Sequence, residues 1–169
     1  MKELTRFFDN SLGVWESHRS YFYAGSKERI EDSITVFEWE KEDGIYKVKW
    51  HNSKLNTEGS MRIHLVDNFR LHRDQGYFTK DPTISLIQSS SCDFLRTITI
   101  YNNCQFDERI EFITERLRLR RTIAYKINKD GGLGDVFLVG NYIEKKLWLE
   151  EDSGDVEENG EVNLSQLES

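Results

Sequence analysis

Three arginines stand at every second position of one stretch of the chain, Arg116, Arg118 and Arg120 in ERLRLRRTIAYKI. Alternate side chains of an extended strand point to opposite faces, so these guanidinium groups share a face with Thr122. The opposite face carries Leu117, Leu119, Ile123 and Tyr125. Arginine suits a planar anion such as a carboxylate, which it can hold with two parallel hydrogen bonds. The strand alone leaves two interpretations open: an anion-binding inner face, or a solvated outer face with the leucines inside.

The stretch before the arginines offers a partner for their face. Glu108, Ile110 and Phe112 alternate in the same way. A tight turn around residues 114–116 would place their face beside that of the arginines. A surface that mixes an acid, apolar groups and arginines differs from a hydrophobic core. It indicates a cavity for a ligand that is flat, apolar and anionic.

Short runs of β-branched and aromatic residues must position these side chains. The chain has one proline, and Gly, Asn and Asp cluster between the runs, which is typical of an all-β protein. The connections are too short for parallel crossovers, so they predict an antiparallel meander. About ten strands in one small sheet would leave a costly open edge, which favours closure into an up-and-down barrel. The predicted strands are residues 13–24, 33–40, 45–51, 59–66, 69–72, 76–79, 83–88, 94–101, 107–114, 117–127 and 135–148, the last of which could comprise two strands.

The two ends of the chain differ from the strand region. Residues 2–10 predict a short helix that would cover one end of the barrel. Three apolar side chains share one face of it: Leu4, Phe7 and Phe8. The end of the chain is acidic and polar with almost no large apolar residues, so it cannot bury enough surface to become ordered. We therefore predict one domain, residues 1–149, followed by an acidic flexible tail, residues 150–169.

Composition and charge exclude several classes of protein. A chain of 169 residues fits one domain with a sizeable core. The net charge of −7 and the pI near 5.2 argue against binding nucleic acid, and no apolar run is long enough to span a membrane. Cys92 and Cys104 lack CxxC spacing and the histidines are scattered, so we expect neither a disulfide nor a metal site. The start lacks a signal-peptide pattern, so we expect a cytoplasmic protein, or one of the plastid stroma in a eukaryote.

Several motifs resemble those of one protein family. The stretch FFDNSLGVWESHRSYFY, residues 7–23, resembles the pattern S-x-G-x-W-x-S-x-R-S-x-x-Y after a short helix. Similar stretches follow at YKVKWH, EGSM, RDQGYF, DERIEFITERLRLRRT and GDVFLVGNYIEKKL. Together these motifs resemble the S-type phycobiliprotein lyases of the CpcS/CpeS family over about residues 5–148. The sequence departs from the family pattern at Glu111, at residues 114–116 and at Arg121.

The resemblance implies both a fold and a function. The fold is a ten-stranded antiparallel barrel of the lipocalin and fatty-acid-binding type, in agreement with the meander predicted from the strand pattern. The function is that of a lyase that binds a phycobilin as its substrate, without a further cofactor, and promotes its thioether attachment to a cysteine. We favour phycoerythrobilin as the pigment and phycoerythrin as the client. The implied partners are a phycobilin and an apo-phycobiliprotein subunit, and the protein could also form a homodimer.

A phycobilin is an open-chain tetrapyrrole with two propionates, four ring nitrogens and a ring A ethylidene group that accepts a thiol. By resemblance, Arg118 and Arg120 bind the propionates, and Thr122 lies in the same pocket. Glu108 would accept hydrogen bonds from the pyrrole N–H groups and assist proton transfer, which makes it the candidate catalytic residue. The alternative for Glu108 is an ion pair with Arg120 that joins two strands.

Two tryptophans and a further arginine are also candidate ligand-binding residues. Trp15 belongs to a Gly-x-Trp pattern that generally packs across the base of lipocalin-type barrels, so it is either structural or part of the pocket. Trp50, by resemblance, contacts the pigment or else fills the core. Arg19 either holds a propionate or closes the barrel.

In such a reaction the nucleophile is the cysteine of the client, so neither Cys92 nor Cys104 is needed. The lyase would contribute by holding the bilin in one orientation and presenting ring A at the mouth of the barrel. The alternative function is that of a lipocalin-like carrier, which binds a bilin without transferring it. The two functions differ in whether the loaded protein produces a covalent adduct on an apo-subunit.

Overall fold

A computed structural model describes residues 1–24, 30–53, 56–76 and 79–147, with the backbone alone for 30–34. These described residues form one helix and ten strands. Helix α1 spans Lys2–Asn10. The strands, in chain order, are β1 (Gly13–Tyr23), β2 (Ile30–Glu42), β3 (Ile45–Asn52), β4 (Thr57–Leu65), β5 (Arg70–Arg73), β6 (Thr83–Ser90), β7 (Phe94–Tyr101), β8 (Cys104–Thr114), β9 (Leu117–Ile127) and β10 (Leu133–Lys146).

The strands form a closed antiparallel barrel. Each strand pairs with its neighbours in the chain, and β1 also pairs with β10. In this closing ladder Trp15 lies opposite Lys146, and Tyr23 lies opposite Leu138. Closure leaves no strand edge unpaired, which removes the cost that an open sheet of ten strands would carry. The predicted all-β barrel with a short N-terminal helix is therefore confirmed.

Helix α1 closes one end of the barrel with its apolar face. The Phe8 ring packs against Tyr46 and Trp39, with centroid distances of 5.0 and 6.1 Å. The Phe7 ring meets Phe112 edge to face at 5.3 Å. Since α1 leads directly into β1, the hairpins that join β1–β2, β3–β4, β5–β6, β7–β8 and β9–β10 lie at the opposite end. We call this opposite end the far end.

Two predicted strands differ from the observed ones. The prediction of a strand at 76–79 is wrong for Gly76 and Thr79, which lie outside any strand, and the two residues between them are outside the described ranges. The stretch 135–148 contributes one strand, β10, with two irregular pairings to β9 near its start. The predicted tail, 150–169, lies outside the described residues. In the described part of the chain, no helix is long and apolar enough to cross a membrane.

The arginine-bearing face of β9 points into the barrel. Arg118 and Arg120 are 1% and 8% exposed, whereas Leu119 between them is 42% exposed. The neighbouring strand β10 repeats this arrangement, because Glu144 is fully buried and Ile143 is 56% exposed. Both strands therefore carry charged groups inside and aliphatic groups outside. Arg118 and Arg120 therefore lie on the inner face, as the first interpretation predicted, whereas Arg116 precedes β9 and does not belong to that face.

Candidate functional site

A cavity of about 140 Å³ lies inside the barrel. Six aromatic residues line it: Tyr21, Phe37, Trp50, Tyr101, Phe106 and Tyr142. Six polar residues complete the lining: Arg19, Arg73, Thr99, Glu108, Arg120 and Thr122. Tyr21, Trp50 and Tyr101 lie within the last three positions of β1, β3 and β7, respectively. Because these strands end at the far end, the cavity lies towards that end.

Glu108 on β8 is the centre of the polar wall. Its carboxylate accepts hydrogen bonds from Arg120 Nε at 2.9 Å and from a second nitrogen of the same guanidinium group. The Nη2 of Arg73, which reaches across the barrel from β5, donates to the other carboxylate oxygen at 3.1 Å. All three residues are less than one tenth exposed. The ion pair between Glu108 and Arg120 is therefore present, and Arg73 extends it to a triad.

The charges around Glu108 decide its ionisation. Burial by itself raises the pKa of this carboxyl, but the charges and hydrogen bonds of Arg120 and Arg73 outweigh burial and hold the pKa below its usual value. Glu108 is thus a carboxylate at neutral pH. An anionic ligand that engaged Arg120 or Arg73 would compete for their donors, and would leave Glu108 oxygen lone pairs to accept N–H groups.

A second buried carboxylate, Glu144 on β10, lies beside the first. Arg118 Nε donates to Glu144 Oε2, and Ser17 Oγ donates to Oε1 at 3.3 Å. Arg120 Nη1 is 4.0 Å from the same Oε1, which links the two carboxylates through one guanidinium group. Burial raises the pKa of Glu144, but the charges of Arg118 and Arg120 prevail and lower it. The interior therefore holds a continuous chain of alternating charges.

Arg118 lies behind the cavity wall rather than in it. Its Nη1 donates to Ser11 Oγ at 3.1 Å, and its guanidinium carbon is 4.3 Å from the centre of the Trp15 ring. Trp15 is fully buried and donates its indole N–H to the Ser11 carbonyl at 2.9 Å. These contacts tie β9 and β1 to the end of α1. Arg118 and Trp15 form the base of the site.

Arg19 on β1 has different surroundings. Its guanidinium group is 4.6 Å from the centre of the Phe37 ring and 5.6 Å from that of Tyr142. Its hydrogen-bond partners are neutral hydroxyl groups, those of Ser17 and Tyr21, both at 3.4 Å. Among the described side chains, none forms an ion pair with Arg19. This charge is therefore well placed to meet an anionic ligand.

Tyr142 contacts both an aromatic residue and a charged residue of the cavity lining. Its ring meets Tyr21 edge to face at 5.7 Å and lies 5.3 Å from the Arg120 guanidinium carbon. Burial raises the pKa of Tyr142 far above its usual value, so the phenol remains protonated.

The charges of the cavity and its base do not cancel. Within the cavity lining and the ion pair at its base, four arginines meet two carboxylates, which leaves this group with a formal excess of two positive charges. The six are Arg19, Arg73, Arg118, Arg120, Glu108 and Glu144. A flat ligand with two acidic groups would neutralise the excess and stack against the rings.

The structure brings five of the seven predicted site residues to one cavity. The five are Arg19, Trp50, Glu108, Arg120 and Thr122. Arg118 and Trp15 lie at the base, and the third arginine of the row, Arg116, stands in the turn between β8 and β9. The catalytic role of Glu108 and the ligand-binding roles of the other six stay predictions. The position of Trp15 matches its structural alternative.

Sequence reasoning missed three residues of the site: Arg73, Tyr142 and Glu144. Arg73 falls just after the predicted strand 69–72, whereas in the structure it ends β5 with the inward parity of Leu71. Tyr142 and Glu144 flank Ile143, which is exposed. Because Ile143 is apolar, the sequence favours the opposite orientation of β10, with Ile143 inside and its two neighbours outside. The useful signal is the register, because Tyr142 lies opposite one inward arginine of β9 and Glu144 opposite the other. That register depends on the two irregular pairings near the start of β10, which the sequence did not indicate.

The described residues include histidines, acidic residues and two thiols, whose positions bear on metal and thiol chemistry. Within them, no group of three or more His, Cys, Asp or Glu side chains is arranged to hold a metal ion. Cys92 and Cys104 are free thiols, and neither lines the cavity.

The closed barrel, the helix at one end and the internal cavity define a β-barrel protein of the kind that can enclose a small ligand. Its site combines buried arginines with aromatic rings. The family model of CpeS-like proteins matches residues 47–147, and the chain belongs to this family.

Individual relatives agree with this assignment. The chain is 26% identical to the putative phycocyanobilin lyase CpcS 2 of Nostoc sp., over 86% of this chain and 91% of that protein. It is 23% identical to the putative chromophore lyase CpcV of Picosynechococcus sp., over 85% of this chain and 81% of that protein. The resemblance to the CpcS/CpeS family is therefore confirmed.

Solved structures share the fold. The S-type phycobiliprotein lyase CPES from Guillardia theta superposes with a TM-score of 0.68 at 16% identity, over 87% of this chain and 94% of that chain. A protein of unknown function from the DUF3598 family of Nostoc punctiforme superposes with a TM-score of 0.60 at 14% identity, over 83% of this chain and 49% of that chain. At these identities the likeness shows the fold alone.

Proposed function

We propose that the protein is a phycobiliprotein lyase, which binds a phycobilin in the barrel and promotes its thioether attachment to a cysteine of a phycobiliprotein subunit. The observation that carries the proposal is the cavity wall, where arginines in excess over carboxylates face six aromatic residues. The curated relatives support it, because they are named as a phycocyanobilin lyase and a chromophore lyase.

The two propionates of a bilin match the two excess positive charges. Arg19 and Arg120 are the proposed propionate ligands, because both line the cavity and both can donate two parallel hydrogen bonds to a carboxylate. Arg73 can assist from the other side of Glu108. Arg118, which is buried behind the wall, holds Glu144 and thereby supports Arg120.

The size of the cavity indicates how the pigment sits. Its volume of about 140 Å³ is below the roughly 300–1,000 Å³ typical of pockets that enclose a drug-sized ligand. A tetrapyrrole therefore extends beyond the enclosed space, or the wall opens to admit it. We propose that part of the pigment projects from the far end, where the thiol of the client can reach ring A.

The reaction is an addition that needs no nucleophile from the lyase. The client sulfur bonds to the ethylidene carbon of ring A, the carbon–carbon double bond opens, and the thiol proton ends on the ring. The lyase contributes by fixing the orientation of the acceptor carbon. Glu108 is the proposed proton-handling group, because its carboxylate faces the space where the ring nitrogens would lie.

The pigment and the client are finer parts of the proposal. We propose phycoerythrobilin as the preferred pigment and a phycoerythrin subunit as the acceptor. Phycocyanobilin, which is named for the Nostoc relative, is the competing pigment. Sedimentation of the protein with and without pigment tests whether it forms a homodimer.

The decisive experiment mixes the purified protein with each bilin and an apo-phycobiliprotein subunit. We expect a pigment that stays on the subunit after acid denaturation, formed faster and in one isomer when the lyase is present. Binding without any adduct would instead establish the carrier function. An adduct that forms equally well without the protein would contradict the lyase proposal.

A further inference from the structure

Gly59 on β4 lies directly opposite Trp50 on β3, with the indole ring across it. An ideal Cβ on Gly59 would lie 2.2 Å from Cζ2 and 2.5 Å from Cε2 of that ring, far inside van der Waals contact. Trp50 therefore lies flat against the backbone of the neighbouring strand. The flat position is available only because residue 59 has no side chain.

Gly140 likewise leaves room for an aromatic side chain, that of Tyr142, which stands two positions further along β10. An ideal Cβ on Gly140 would lie 2.4 Å from the Tyr142 hydroxyl oxygen and 2.9 Å from Cζ. Both aromatic side chains line the cavity, from β3 and β10, which are separated in the barrel wall by β1 and β2. Each lies along the wall instead of projecting into the lumen.

Backbone conformation does not explain either glycine. The described glycines with positive φ are Gly13, Gly44 and Gly131, and neither Gly59 nor Gly140 is among them. Glycine within a strand lowers stability, because it brings extra backbone freedom and no side chain to pack. Glycine at these two positions therefore lowers the stability of the strands. The close approach of the aromatic rings is the physical reason for its presence there.

We infer that Gly59 and Gly140 determine the width of the cavity, and thereby let it accept a flat conjugated ligand with two acidic groups. The inference rests on the proposed bilin-binding function and assigns its size specificity to these residues. A methyl group at either position would turn an aromatic ring away from the wall. In a cavity of about 140 Å³, the displaced ring would occupy space that the pigment needs.

The test measures bilin dissociation constants by absorbance titration for Gly59→Ala and Gly140→Ala. We expect each variant to bind the bilin at least about tenfold more weakly, since overpacking a filled site has effects of this size. Matched controls add one carbon on the outer face of the same strands, at exposed positions. They are Ser60→Thr on β4 and Asn141→Gln on β10, and both should bind as the parent does.

A double-mutant cycle separates the ring clash from a general effect on stability. In a Trp50→Leu background the clashing ring atoms are absent, so Gly59→Ala should not weaken binding further. If Gly59→Ala alone fails to fold, this background still provides the comparison, and recovery of the fold there supports the clash. An equal loss of affinity in both backgrounds would overturn the inference.

The outcomes also distinguish this inference from the proposed function. A parental protein that binds no bilin would end the proposed function and the inference with it. A parental protein that binds, together with Gly59→Ala and Gly140→Ala variants that bind equally well, would overturn the inference alone.

Discussion

At the scale of single residues, inward-facing arginines differ in what their loss would leave behind. Arg118 neutralises Glu144, which is fully buried, whereas Arg19 is held by two hydroxyl groups and two aromatic rings. Removal of one partner from a buried ion pair is costly because it leaves an uncompensated charge. The same type of residue therefore has a structural role at one position and a proposed ligand-binding role at the other.

We expect Arg19→Ala to weaken bilin binding by about 1.5–3 kcal/mol, the value of a hydrogen bond to a charged group, with a small change in the free energy of unfolding. Arg118→Ala should instead lower the free energy of unfolding by about 3–5 kcal/mol. Bilin titration and urea unfolding measure the two effects. Arg121→Ala, on the outer face of β9, is the control and should change neither. Unaltered affinity in a folded Arg19→Ala variant would remove Arg19 from the site.

Glu108→Gln tests the proton-handling role. The variant should still bind the pigment, but its long-wavelength absorbance band should weaken or shift to the blue, because the protonated ring system loses its counter-charge. Absorbance spectra of the loaded variant and parent give the answer. Identical spectra would leave Glu108 with the ion pairs to Arg120 and Arg73 as its only role.

At the scale of elements, α1 is attached to the barrel through apolar contacts on one face. Phe8 is 2% exposed and packs on Tyr46 and Trp39, whereas Arg6 on the opposite face is exposed. The end of the helix also carries Ser11, which accepts hydrogen bonds from Arg118 and Trp15. Displacement of the helix would therefore disturb the base of the site.

Phe8→Ala should lower the free energy of unfolding by about 3–5 kcal/mol, because a large buried ring is lost from a packed interface. Arg6→Ala should change it by less than about 0.5 kcal/mol. Chemical denaturation of both variants tests the difference. Similar stabilities for the two would show that the helix contributes little to closing the barrel.

At the scale of the whole molecule, two buried carboxylates make the free energy of unfolding depend on pH in the acidic range. The pKa values of Glu108 and Glu144 in the folded protein are held below 4.5 by the surrounding arginines. The unfolded chain therefore binds protons at a higher pH than the folded protein. The stabilisation is fully present above about pH 4.5, and it is lost as the pH falls through the lower folded pKa values.

We therefore expect the free energy of unfolding to fall steadily below about pH 4.5. Glu108→Gln, which cannot titrate at this position, should show a flatter acid dependence from a lower starting stability. Urea unfolding across a pH series measures both slopes. A slope in the variant as steep as in the parent would assign the acid sensitivity to other groups.

The barrel could be predicted from the sequence because its signals are local. Alternating runs, short turn-rich connections and the apolar face of residues 2–10 each follow from neighbouring residues. The strand predicted at 76–79 was wrong for Gly76 and Thr79, because a short run with one aromatic pair resembles a strand in the sequence whether or not it has a pairing partner. Trp50, Glu108 and Arg120 were correctly placed together through parity and family resemblance.

What the sequence alone determined is which residues share a face, because the period of two is a property of the extended backbone. It did not determine which face is inside, since β9 and β10 place charged groups inward and Leu119 and Ile143 outward. That choice is made when ten strands close together and the two buried carboxylates meet their arginine partners. Arg73 reaches Glu108 from a strand 35 positions earlier in the chain, and only closure of the barrel brings the two within hydrogen-bonding distance.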